Sequence, residues 1–492
     1  MRKIIRTGFL ICFFVVSFAA ACIPISHGAT YYIDYTAMGD SSNGISQATP
    51  WKRCPGMTGF SGNYLHTPGD IFIFKGGVTW PSSVLPFSIN HSGAGTQIDT
   101  YTSDPNWFSG QGWSRPVFDG EHVIAGTNAI LIVNGHHVKI DRLKLVNACK
   151  SGSSCPARTI EIKVSPDHVE ISNCVLEPYA GHGIVASHDG TTGKSRFLIH
   201  HNDFSHLSNN IELGCISCEN AFDDLQIYNN KFHDMRSALV NGDHGDGIHI
   251  HNKGGAFRKY TNVRVFNNRF YGDWGSGDGR TSCTAQVFFE DSVGSGAIFN
   301  NQFSFENTDT LRANYIFSPG FIAIYGSDKI DIYNNTCLSK ITTPPKWAFS
   351  CIAIDPGLSG HRGRFNIKNN ICSGTRFGIL TQPGFTLNID HNLYHSPPGG
   401  NVGAMGSSFK SFLHWRALGH DLNGAIGDPQ FADITGKLDL RLQPSSRAID
   451  AGANLGPPFN VDILGTRRPQ TGAWNIGAFE HRGSMYLDKA SK

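Results

Sequence analysis

Leu225-Gln-Ile227-Tyr-Asn229-Asn230-Lys-Phe232 is the stretch that decides the fold, because the chain repeats it. It returns as Val263-Arg-Val265-Phe-Asn267-Asn268-Arg-Phe270 and, shortened, as Ile298-Phe-Asn300-Asn301-Gln-Phe303. Upstream lie Val169-Glu-Ile171-Ser-Asn173-Cys174-Val-Leu176 and Phe197-Leu-Ile199-His-His201-Asn202-Asp-Phe204. Downstream lie Ile330-Asp-Ile332-Tyr-Asn334-Asn335-Thr-Cys337, Phe365-Asn-Ile367-Lys-Asn369-Asn370-Ile-Cys372 and Leu387-Asn-Ile389-Asp-His391-Asn392-Leu-Tyr394. Val138-Lys-Ile140-Asp-Arg-Leu143-Lys-Leu145 is a degenerate earlier copy. The second Asn steps from 202 to 230, 268, 301, 335, 370 and 392, at intervals of 28, 38, 33, 34, 35 and 22 residues.

Self-similarity at such spacing marks a repeat architecture. Within each copy the apolar residues alternate with period 2, so the repeat unit is a strand and not a helix. Ile and Val point inward and the residues between them point out. A second strand recurs before each copy, for example Gly183-Ile-Val-Ala-Ser187, Asn210-Ile-Glu-Leu-Gly214, Gly247-Ile-His-Ile-His251 and Phe321-Ile-Ala-Ile-Tyr325. Two or three short strands per repeat, joined by Asn/Gly turns, describe one coil of a β-solenoid. Stacked coils place equivalent residues about 4.8 Å apart. Asn tolerates the left-handed backbone of a sharp turn, and stacked Asn side chains can bond along the ladder. Phe204, Phe232, Phe270 and Phe303 should stack in the core, with Cys337 and Cys372 continuing the column. The expected fold is therefore all-β: a right-handed parallel β-helix. Residues 30–130 form an N-terminal cap and first coils, 131–400 the coils, and 401–492 a capping segment with a short helix over Ser411 to Leu418. A cap is expected because an open solenoid end exposes strand edges.

The ends carry a resemblance. Tyr31-Tyr-Ile-Asp34, the Gly/Asn/Ser-rich stretch to Pro50-Trp51-Lys52, and Pro68-Gly-Asp70-Ile-Phe-Ile-Phe-Lys75-Gly-Gly77 are similar to the opening of many secreted bacterial β-helix proteins, polysaccharide lyases among them. Asp428-Pro-Gln-Phe431, Leu440-Arg-Leu-Gln-Pro444, Ala448-Ile-Asp-Ala-Gly452 and Asn475-Ile-Gly-Ala-Phe-Glu480 resemble the closing segment of the same pectate-lyase-like superfamily. This likeness implies an extracellular polysaccharide as substrate and leaves the family open. Gly181-His182-Gly183 matches a short polygalacturonase motif, but the paired Asp motifs that should precede it are missing, as is a Trp-x-Asp-His signature of pectate lyases.

Composition narrows the function classes. Of 492 residues, 41 are Lys or Arg and 39 Asp or Glu, a net charge of +2, which argues against a nucleic-acid binder. Charged residues are only 16%, and Gly is abundant at 56, as suits tightly turning β structure. Met1-Arg2-Lys3-Ile4-Ile5-Arg6 followed by the apolar run Phe9 to Ala21 reads as an export signal within residues 1–29, too short for a comfortable membrane span. Secretion, or placement in the periplasm or on the outer cell surface, is expected. Ala19-Ala20-Ala21-Cys22 also looks like a lipoprotein signal through Cys22, lacking the usual Leu. No later segment is apolar enough to span a bilayer, and a monomer is expected. Ten of the 12 cysteines lie past the signal. Cys149 and Cys155 form the best local pair, and Cys215-Ile-Ser-Cys218 reads as a structural pair or two free thiols.

A solenoid core is filled, so chemistry belongs on an outward face. One outward column of the upstream strand runs Glu161, Val185, Glu212, His249, Phe288, Ala323, Ala353. The next runs Lys163, Ser187, Gly214, His251, Glu290, Tyr325, Asp355. Titratable groups concentrate at Glu212, Asp246, His249, His251 and Glu290, beside long connections near 236–246 and 272–282 that are expected to wall a groove. Two chemistries fit. A glycoside hydrolase needs two carboxyls, and an inverting one spaces them about 6.5–9.5 Å apart; Glu212 and Glu290 sit two coils apart, and Asp246 offers a closer partner. A lyase needs the substrate carboxylate neutralised, often by Ca²⁺, and a base; Asp243, Asp246 and Glu290 are candidate Ca²⁺ ligands, and His249, His251 or Lys253 the base. The competing class is a non-catalytic carbohydrate-binding or adhesin-like protein, which could repeat the same outward residues on every coil; these columns do not repeat.

Overall fold

In a computed structural model, residues 28–124, 128–148, 157–164, 167–177, 181–188, 196–206, 209–215, 222–235, 245–252, 260–274, 285–306, 320–340, 349–395 and 401–481 are described. The proposed signal, Cys22, and the cysteine pairs 149/155 and 215/218 fall wholly or partly outside them.

Three sheets of 12 strands each run the length of the molecule, and the chain visits them in turn, coil after coil. Each coil contributes one strand to each sheet, and the pairing is parallel from coil to coil. This is a parallel β-helix. Sheet A holds the first half of the repeat, such as Leu225–Tyr228 and Val263–Phe266. Sheet B holds the second half, such as Lys231–Met235 and Arg269–Trp274. Sheet C holds the upstream strands, such as Ile248–Asn252 and Val287–Glu290. Ile227, Val265, Ile298 and Ile332 from sheet A and Ile211, Ile248, Val287 and Ile322 from sheet C are fully buried in one continuous core.

The turn between sheets A and B divides its work between two residues. The first of each Asn pair takes the left-handed backbone: φ is +55° at Asn229, +56° at Asn267, +54° at Asn300 and Asn334, and His201 and His391 do the same. The second Asn is the ladder. The backbone N and Nδ2 of Asn202 both donate to Asn230 Oδ1, and the pattern continues through Asn268, Asn301, Asn335, Asn370 and Asn392 at 2.9–3.1 Å. Each Nδ2 also reaches back to a main-chain carbonyl, as Asn230 does to Ile199 at 2.9 Å. Every donor and acceptor of these buried amides is thereby used, which is the condition for burying them without a desolvation cost.

Beside the ladder, Phe204, Phe232, Phe270 and Phe303 stack with ring centroids 4.6–4.8 Å apart. Cys337 and Cys372 follow them in register. Cys337 does more than fill the column: it is disulfide-bonded to Cys351 of sheet C, 14 residues on, while Cys54, Cys174 and Cys372 are free and buried.

At the C-terminal end the ladder stops on a carboxylate. Asp421 Oδ1 accepts from Asn392 N (3.0 Å) and Nδ2 (2.9 Å), and Oδ2 accepts from the Tyr394 hydroxyl (2.5 Å) and Trp415 Nε1 (3.1 Å). Trp415 is fully buried and belongs to the helix Phe412–Ala417, whose N-cap is Ser411. The strand Ser408–Ser411 pairs antiparallel with Asn401–Met405 at the edge of sheet C. The chain beyond 425 then runs back along the barrel: Phe431, Leu440, Leu442 and Ile476 pack on Leu338, Ile371 and Leu393 of sheet B, and Phe459 meets Phe299 and Tyr333 of sheet A edge-on. So, of the described residues, 401–424 lie at the C-terminal end of the coils and 425–481 brace the side. Among the described residues no helix is long and apolar enough to cross a membrane.

Candidate functional site

Strand Ile248–Asn252 lies in sheet C between Asn209–Cys215 and Val287–Glu290. Ile248 and Ile250 are fully buried in the core, so the period of the strand turns His249 and His251 away from it. In register, His249 follows Glu212 and precedes Phe288, whereas His251 follows Gly214 and precedes Glu290. Glu212 and Glu290 thus stand in neighbouring columns two coils apart, and a paired-carboxyl arrangement between them would be diagonal. The side chain of Glu212, the whole of Asp243 and Lys253, and the connections 236–244 and 275–284 lie outside what is described.

Both histidines face outward and yet are buried, at 6% exposure for His249 and 4% for His251. Phe288 stacks flat on the His249 ring at 4.8 Å, and with Ala285, Ala323 and Tyr325 forms an apolar cluster on this outer face. The two imidazoles are 4.5 Å apart at an angle of 37°.

Within this apolar surround three groups line up. Asp246, expected from the sequence among the surface acids, is fully buried; its Oδ1 accepts the Ala285 N–H at 2.9 Å and its Oδ2 lies 3.6 Å from His249 Nδ1. His249 Nε2 is 3.1 Å from Glu290 Oε2. Exposure rises along the series: the side chain is 0% exposed at Asp246, 8% at His249 and 30% at Glu290. Glu290 is thus the member that opens to solvent, the His249 imidazole lies within hydrogen-bond distance behind it, and Asp246, held by the Ala285 N–H, stands beyond hydrogen-bond distance of the ring. Next in the column after Glu290 come Tyr325 and Asp355. Burial, then the charges of Asp355 and Glu290, hold the Tyr325 phenol well above its ordinary pKa, so it stays protonated as a hydrogen-bond donor. Sequence reading placed Tyr325 in the outward column without assigning it a role. The signal was its position after Glu290.

Up the same face, Arg158 and Lys163 both pair with the buried Glu161. His182 of Gly181-His182-Gly183 is buried at the start of its strand, three coils before Glu290 in sheet C.

No family model matches the chain, and no curated protein matches it. Solved structures do. Pectate lyase Pel9A superposes with a TM-score of 0.50 at 14% identity, covering 93% of this chain and 98% of its own. XylC in complex with xylose gives 0.49 at 12% identity over 92% and 98%. The GH136 lacto-N-biosidase from Eubacterium ramulus gives 0.47 at 12% identity over 81% and 67%. At these identities the likeness is one of fold: the chain has the parallel β-helix architecture of a pectate lyase.

Proposed function

We propose that this chain is exported and that it binds and cleaves an extracellular polysaccharide on the outer face of sheet C, by lyase or glycoside-hydrolase chemistry. The observation that carries the reading is the Asp246–His249–Glu290 series, three titratable groups in contact on an outer surface whose neighbours are Phe288, Ala285 and Ala323. Burying such groups is costly unless they serve one another or a ligand. In this reading Glu290, the exposed member, meets the sugar; His249 sets its protonation; Asp246 orients His249. The architecture shared with a pectate lyase and the length of a solenoid face, suited to a chain-like ligand, support it.

The two chemistries divide on the product. In elimination, a proton leaves the carbon next to the uronate carboxyl, the bond from the neighbouring carbon to the glycosidic oxygen breaks, and a double bond forms between the two carbons. Ca²⁺ is a proposed partner for that route. Both oxygens of Asp246 already face Ala285 N–H and His249, so Asp246 fits an ion poorly, and the cation would rest on Glu290 and Asp243. In hydrolysis Glu290 acts as acid with a second carboxyl, for which Glu212 is the candidate. Reducing-end and unsaturated-product assays over a polysaccharide panel, with His249→Ala, Glu290→Gln and EDTA, test the reading. Loss in both variants supports it, and loss in EDTA restored by Ca²⁺ selects the lyase. Full activity in both variants retires the site. Binding to a glycan array without any cleavage would instead favour the carbohydrate-binding alternative.

A further inference from the structure

At the corner between sheets C and A, four and three coils before the one carrying His249, two histidines stack across neighbouring coils. His137 precedes strand Val138–Asp141 and His168 precedes Val169–Ser172, the next strand of sheet A. Both take the left-handed backbone, with φ of +52°. This shared conformation throws both imidazoles to the same side, and their rings lie 4.5 Å apart, 11° from parallel. Asp167 adds a carboxylate to the pair: Oδ1 is 2.6 Å from His168 Nδ1, and Oδ2 is 3.9 Å from His137 Nε2.

Stacked turn residues are a common ornament of a β-helix, so stacking alone decides nothing. Two further observations do. First, one ligand atom from each of the three residues lies within 4.8 Å of the others, the sole such group of His, Cys, Asp or Glu among the described residues. Second, His137 is poorly used by the protein. Its side chain is 16% exposed, Nδ1 is buried with no hydrogen-bond partner, and Nε2 reaches Asp167 only at 3.9 Å. Nε2, the nitrogen that faces Asp167, is the one an ion would occupy, and at 3.9 Å it makes no hydrogen bond to that carboxylate.

We propose that His137, Asp167 and His168 bind a divalent transition-metal ion of the zinc class, clamping two successive coils near the N-terminal end of the solenoid. Zinc takes nitrogen and oxygen ligands at about 2.0–2.2 Å, so tetrahedral neighbours stand about 3.3 Å apart. One ligand atom from each residue already lies within 4.8 Å of the other two, and side-chain rotations bring them to that spacing. The ion takes the place of the hydrogen between His168 Nδ1 and Asp167 Oδ1, and His168 then binds as the neutral tautomer with its hydrogen on Nε2. Three protein ligands leave one position for water. Two imidazoles select against Ca²⁺, which prefers six to eight oxygens. The site is separate from the His249 series, and the ion binds whether or not the chain cleaves a polysaccharide.

The mature chain, stripped by chelator, loaded with Zn²⁺ and desalted, should retain one equivalent by elemental analysis, and its unfolding midpoint should rise. Co²⁺ in its place should give the visible absorption of a four-coordinate site. Excess Ca²⁺ should displace neither ion. His137→Ala combined with His168→Ala should lose the retained metal and the midpoint shift, and Asp167→Asn, nearly isosteric, should weaken retention at least tenfold with an unchanged far-ultraviolet spectrum. His249→Ala should keep the full equivalent. Retention below a tenth of an equivalent by the wild-type chain, or equal retention by the double variant, overturns the proposal.

Discussion

Asn268→Ala tests the ladder at its middle. Asn268 is fully buried; its Oδ1 accepts from Asn230 N and Nδ2, both at 3.0 Å, and its Nδ2 donates to Ile227 O at 2.9 Å and Asn301 Oδ1 at 3.1 Å. Truncation removes all four bonds, but the neighbours do not suffer equally. Asn301 Oδ1 keeps the Asn268 backbone N–H, and Asn230 Nδ2 keeps Ile199 O. What is stranded is the Asn230 backbone N–H and the second hydrogen of its amide. Two orphaned buried donors at about 1–3 kcal/mol each make roughly 4 kcal/mol. If the whole solenoid of about 450 residues melts as one unit, its unfolding entropy near 2.1 cal/mol/K per residue turns this into a midpoint shift of only about 4 °C. If a few coils open separately, as solenoids permit, the same energy appears as a much larger local shift. Native-state hydrogen exchange at Asn230 and its neighbours separates the two cases. The control is Asn267→Gly, which keeps the left-handed turn (φ +56°) and spares the ladder. If Asn268→Ala costs no more than Asn267→Gly, the second Asn is not what holds the coils in register.

Four further outcomes follow from particular contacts. Asp421→Asn, although isosteric, should destabilise the C-terminal end, because Tyr394 OH and Trp415 Nε1 would meet an amide N–H₂ or compete for one oxygen; an unchanged unfolding midpoint would refute this. Under denaturing, non-reducing conditions Cys54, Cys174 and Cys372 should alkylate while Cys337 and Cys351 do not; modified Cys337 in a peptide map would contradict the disulfide. Burial lowers the His233 pKa, but hydrogen bonds of 2.8 Å to Asp203 and Asp234 outweigh it and leave it raised. A raised histidine contributes stability fully below about pH 6.5 that is lost as pH rises through its folded pKa, so His233→Gln should cost more at about pH 5.5 than at about pH 8.5; equal cost at both would sink the assignment. Tyr325→Phe should lower turnover of a cleaved glycan at least tenfold without moving the unfolding midpoint, and full turnover would remove the phenol from the site.

Most of the coil was legible because its determinants are local and repeat. Alternating Ile/Val fixes the inner face, and Asn-Asn fixes the corner. The division of that corner into a left-handed residue and a ladder residue needed the structure, since either Asn can do either job. Features that occur once were harder to read. Asp421 ends the ladder 29 residues after Asn392 with no motif around it, and only the fold brings it beneath the last amide. The same holds for Cys337 and Cys351, which the sequence offers as one core filler and one ordinary strand residue. They meet because sheets B and C close on each other after the 337–351 connection.

The candidate site shows the same limit from the other side. Strand period told which way His249 and His251 point, and it could not tell how deep they lie. Outward on an isolated strand means solvent; outward on sheet C at this coil means 6% and 4% exposure beside Phe288. That difference reorders the roles. An exposed His249 would be the group that meets a ligand, with carboxylates around it. A buried His249, with Asp246 fixed behind it by Ala285 N–H and Glu290 opening outward, is in the proposed reading a group that acts through its neighbour. The consequence can be measured. If Glu290 acts on the sugar and His249 acts through it, Glu290→Gln should abolish turnover with KM nearly unchanged. His249→Gln should leave residual turnover whose pH profile is displaced from that of the wild-type chain. A pH profile in His249→Gln that superimposes on the wild type would show that the imidazole does not govern Glu290.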